Sequence, residues 1–83
     1  MKAEDVLPDA VNHTEVAGLA IRKGTVAAFL ANARIWSSPE ASASERQGAE
    51  RDMLEALPAL HALGLFQILE VRDRRLRSFL ESR

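Results

Sequence analysis

The 83-residue sequence contains no cysteine. That absence removes disulfides, thiolate metal ligands and cysteine nucleophiles together, and it agrees with a reducing compartment. No long apolar run occurs either. The amino end, MKAEDVLPDA, is acidic and has neither the hydrophobic core of a secretory signal nor the length of a membrane anchor, so a cytoplasmic protein is expected. In that setting Asn12-His13-Thr14 reads as a chance match to a glycosylation acceptor. Repeats and low-complexity tracts are absent. No single sign of charge dominates: the net charge is −1, made of segments of −3 (1–21), +3 (22–37), −3 (38–57) and +2 (58–83). Such alternation suits internal or intersubunit pairing better than a nucleic-acid surface, where one sign covers a face.

At this length the chain fits one small domain with a thin core, the situation in which small proteins often gain stability by oligomerising. Residues 1–10 read as a loosely ordered arm, because Pro8 and the acidic residues oppose a buried strand or stable helix. The single domain is expected over 11–83. Within it Val16, Leu19 and Ile21 flank Ala17-Gly18, the pattern of a small hairpin over residues 15–22.

The period changes after Lys23-Gly24. Val26, Phe29, Leu30, Ala33 and Trp36 follow the three-and-four spacing of a helix face, which predicts a helix over 25–36 with Thr25 as its N-cap. Ser37-Ser38-Pro39 ends it, since the residue before a proline is pushed out of the helical region. Ser44 and Gln47 then form the expected capping box of a second helix over 44–63, with Ala49, Met53, Ala56, Leu57 and Leu60 as its stripe. Pro58 lies inside that stripe, and because the phase is kept across it, a kinked continuous helix is expected rather than two helices. Gly64 is the left-handed stop. Residues 65–71 fit a strand that pairs with residues 19–22, or equally a helix. Asp73 caps a last helix over 73–82 whose apolar edge is Leu76, Phe79 and Leu80.

Candidates for chemistry are few. Gly18 to Thr25 ends in Lys-Gly-Thr where a phosphate-binding loop requires Gly-Lys-Ser/Thr, so a nucleotide hydrolase is rejected. A weaker anion site survives at Arg22, Lys23, Gly24 and Thr25, where free backbone amides meet two cations at a helix start; a basic turn with a capping threonine explains the same residues. His13 and His61 lack partners at metal-ligand spacing, and no metal site is expected. The serines sit in no nucleophile elbow. Arg72 to Arg77 could pair phosphates, but packing of this short helix on the domain is the plainer reading. Trp36, together with Leu76, Phe79 and Leu80, is the candidate interaction surface.

Arg22-Lys23-Gly24-Thr25-Val26 through Leu30 and Asn32, with Leu57-Pro58-Ala59-Leu60 and Gly64-Leu65-Phe66, resembles a group of short bacterial proteins of unknown function. That group shares a Gly-Thr-Val-x-x-x-Leu-x-Asn helix start and a Pro-x-Leu…Gly-Leu-Phe segment. The resemblance spans 22–66 and implies a bacterial, cytosolic, self-contained protein; it brings no catalytic residues. It also draws attention to Asn32, expected to hydrogen-bond a loop.

Together these readings predict a mostly helical α+β domain. Its first two helices pack as a hairpin across a small sheet from residues 15–22, with 66–71 as a further strand in one of its two readings. The expected function is non-enzymatic: a small interaction or regulatory protein, with no cofactor, that forms a homodimer or binds another protein. Anion binding at Arg22–Thr25 and a nucleic-acid accessory role for Arg72–Arg77 are the alternatives.

Overall fold

The computed structural model describes residues 13–16, 19–22 and 24–82. The arm expected over 1–10, Ala17-Gly18 and Lys23 lie outside the described residues. Helix α1 spans Thr25–Ser37, α2 Ala43–Leu63, the single turn α3 Leu65–Ile68 and α4 Arg74–Glu81. Ahead of them the backbone forms two strands, β1 (His13–Val16) and β2 (Leu19–Arg22), antiparallel with His13 opposite Arg22 and Val16 opposite Leu19.

The α+β class is corrected to a helical one. Residues 24–82 hold four helices and no strand, and α1 and α2 pack directly on each other rather than across a sheet. Residues 66–71 supply no strand. Their backbone groups are satisfied locally instead: Gln67 N–H donates to the Gly64 carbonyl at 3.1 Å and Leu69 N–H to the Leu65 carbonyl at 2.9 Å. A closed turn of this kind leaves no row of groups to pair. The β1–β2 ladder, four residues a side, pairs only with itself, and a two-stranded ribbon that small is no layer of a fold.

The ends of α2 show how sequence fixes its limits. Ser42 is the N-cap: its Oγ accepts from Glu45 N–H at 3.0 Å, while Glu45 Oε1 accepts from Ser42 N–H at 2.8 Å. The expected box at Ser44 and Gln47 is therefore displaced by two residues, because two Ser-x-x-acceptor frames overlap and the carboxylate is the stronger acceptor of the pair. Gly64 closes the helix at φ 81°, its N–H donating to the Leu60 and His61 carbonyls. Pro58 does not end α2, which runs unbroken through it.

The core is small. Phe29 of α1, Met53, Leu57 and Leu60 of α2, and Leu76 and Leu80 of α4 form one buried cluster, with Ala49 buried beside them. Val26 and Leu30, expected on the inner face of α1, stand exposed. Only the Phe29, Ala33 and Trp36 line of α1 meets the cluster, and a single facing helix covers no wider stripe.

Candidate functional site

The best-formed concavity lies where α2, α3 and α4 converge. Gly64, in the left-handed region, turns the chain so that Phe66 folds back over α2, its ring 5.4 Å from that of His61 and 6.2 Å from that of Phe29, edge to face in both cases. Residues 69–72 then run extended to Asp73, whose side chain accepts from Leu76 N–H at 2.9 Å and starts α4. Between these elements opens a cleft of about 390 Å³. Leu57, Phe66 and Leu80 make its apolar floor, Leu69 and Val71 line its wall, and His61, Glu70, Arg77 and Glu81 form its rim. Arg77 Nη1 donates to Glu70 Oε1 at 3.0 Å and to the Val71 carbonyl at 3.5 Å, which pins the extended segment to α4. Leu69 on the cleft wall is 57% exposed, and Ile68, just before it in the chain, is 85% exposed.

A floor of aliphatic and aromatic groups under a polar rim suits an apolar side chain from outside. It supplies no nucleophile with an adjacent base, and among the described residues no cluster of histidines and carboxylates is placed to hold a metal ion. None of the described helices is long and apolar enough to cross a membrane.

The residues singled out from the sequence fall into two groups. Trp36 is internal: its Nε1 donates to Glu50 Oε2 at 2.8 Å, its ring stacks on Phe79 at 5.5 Å, and the Arg75 guanidinium lies 5.7 Å from its centroid. It therefore ties α1 to α2 and α4. Leu76 and Leu80 are buried in the core. The candidate surface formed by Trp36, Leu76, Phe79 and Leu80 is corrected accordingly: these side chains hold α4 onto the domain, because α4 has one apolar edge and the core takes it.

The anion group is divided. Arg22 lies on β2, and Lys23 lies outside the described residues. Gly24, not Thr25, holds the N-cap position of α1, with no side-chain cap hydrogen bond, and Thr25 is the first helical residue. The open groove beside Gly24, Thr25, Ala28 and Asn32 is lined on its α2 side by Asp52 and Glu55. Two carboxylates there oppose an anion. Asn32, expected to bond a loop, donates its amide to the Ala28 carbonyl of its own helix at 3.1 Å. Of the Arg72–Arg77 segment weighed as an alternative phosphate contact, Arg77 is engaged with Glu70 and Arg75 lies over Trp36, while Arg72 and Arg74 stand exposed.

The cleft residues His61, Phe66, Leu69, Glu70 and Arg77 were not brought together as a site by the sequence. Their signal was the apolar run Leu65-Phe66-x-Ile68-Leu69 directly after a helix-stop glycine, too apolar for a solvated turn. Comparison with protein-family models, with curated proteins and with solved structures finds no match.

Proposed function

We propose that this protein is a small non-enzymatic interaction module that self-associates. One observation carries the reading. Among the described residues, six large apolar side chains form the buried cluster, and as many stand exposed: Val26, Leu30, Ile35, Leu63, Ile68 and Leu69. Isolated exposed leucines are ordinary, but an exposed set as numerous as the core favours association. The small core gives the same direction, since burial that the monomer lacks is available at a subunit contact.

Sedimentation or light-scattering mass of the full chain, from micromolar to millimolar concentration, tests the reading. The expected particle has twice the 9.1 kDa chain mass. A monomer throughout that range would overturn it.

A further inference from the structure

We infer that α4, with the extended residues 69–72 that lead to it, is a releasable strap: it leaves its seat while α1 and α2 stay packed on each other. The polar contacts of this stretch turn inward. Asp73 accepts from Leu76 N–H, Arg77 Nη1 donates to Glu70 Oε1 and to the Val71 carbonyl, and Ser82 Oγ donates to the Phe79 carbonyl at 2.9 Å. Toward the rest of the domain the strap presents one edge of side chains: Leu76 and Leu80 enter the buried cluster, Phe79 stacks on Trp36, and the Arg75 guanidinium lies over the same indole. An element seated by one edge opens at lower free energy than one packed on several sides, which is how local unfolding units arise.

The α1–α2 pair keeps its own ties when α4 leaves. Trp36 Nε1 donates to Glu50 Oε2, and Arg46 Nη2 donates to the Ser38 carbonyl at 3.1 Å, so the far end of α1 and the connection after it are both held to α2. Phe29, Met53, Leu57 and Leu60 remain together, with Phe66 edge-on against Phe29. Helix α4 itself has eight residues, and isolated helices shorter than about 12 to 15 residues are marginal in water. Release and melting of α4 are therefore one event, which opens to water the part of the cluster that Leu76 and Leu80 cover and strips Trp36 of its ring partner. The molecule thus carries an apolar surface that its own α4 holds shut.

Hydrogen exchange of the full chain, followed by NMR at one protein concentration across low denaturant, tests the strap in wild type and Ser42→Ala. In the wild type the amides of residues 77–80 are expected to share one opening, at least about tenfold more populated than that of residues 53–57 and with a weaker denaturant dependence. Ser42→Ala removes a cap that α2 keeps whether α4 is seated or released, so its effect cancels from the release equilibrium. It is expected to speed exchange at residues 53–57 about fivefold, the change that loss of a typical N-cap produces, and to leave residues 77–80 unchanged. Equal openings in the wild type, or equal acceleration of both groups in Ser42→Ala, overturn the strap, since α4 then unfolds only with the whole domain. Openings at residues 77–80 that lack any denaturant dependence also overturn it, because the helix then frays residue by residue rather than leaving as a unit.

Discussion

Glu45 holds two hydrogen bonds with Ser42, one through its backbone N–H and one through its carboxylate. The bond that its carboxylate accepts from the Ser42 backbone, and after it the contact with the Ser42 side chain, favours the charged form and sets its pKa below the ordinary glutamate value. A carboxylate whose folded pKa is depressed contributes stability that is present above its unfolded pKa and lost as pH falls through the folded value. Acidification through the folded pKa of Glu45 should therefore loosen the first turn of α2. Carboxyl titration by NMR checks this: Glu45 is expected to titrate below an ordinary glutamate in the wild type and to move part of the way back up in Ser42→Ala, which removes the hydroxyl and keeps the backbone N–H, while amide exchange at residues 43–46 accelerates. A wild-type Glu45 that titrates as an ordinary glutamate would show that the cap does not hold the carboxylate. The displacement of this box by two residues has a simple origin. Ser42-x-x-Glu45 and Ser44-x-x-Gln47 satisfy the same rule, and only the relative strength of the two acceptors separates them.

Helix α2 contains two residues that oppose a helix, and each is a separate experiment. Gly48 is interior, and a Cβ placed there meets nothing nearer than the tip of Arg51, at 3.8 Å, so Gly48→Ala is expected to stabilise by about 0.5 to 1 kcal/mol. Pro58 is exposed on the outer side of α2, where Pro58→Ala restores a backbone donor for the Leu54 carbonyl and should stabilise by about 2 kcal/mol, the helix gain less the unfolded-state rigidity that proline provides. Denaturant midpoints measure both, and a loss of stability in either case would mean that the residue serves packing this helix does not reveal. The stripe of α2 was legible because Ala49, Met53, Leu57 and Leu60 repeat in phase, and all four are buried. The same spacing on α1 misled for Val26 and Leu30, since periodicity reports an apolar face without saying how wide a face the neighbour covers. Residues 65–71 misled for another reason. Their β-branched and aromatic content describes a side-chain surface, whereas the helical turn was decided by the backbone leaving Gly64 in the left-handed region. The cleft follows from that turn, so no spacing rule along the chain pointed to it.

For the whole molecule, the balance between a core of six large side chains and an equal number exposed links folding to association. If a dimer buries part of that exposed apolar surface, unfolding must separate the subunits, and mass action then favours the folded state as the protein concentration rises. Unfolding free energy referred to the monomer concentration should rise by about 1.4 kcal/mol for each tenfold increase in protein, since a two-to-one change of molecularity scales with the logarithm of concentration. Denaturant melts of the wild type at widely spaced concentrations test this, with far-UV dichroism as the signal. The expected midpoint moves upward with concentration. A midpoint independent of concentration would mean that the thin core alone sustains the fold, and that the exposed apolar side chains contribute nothing to its stability.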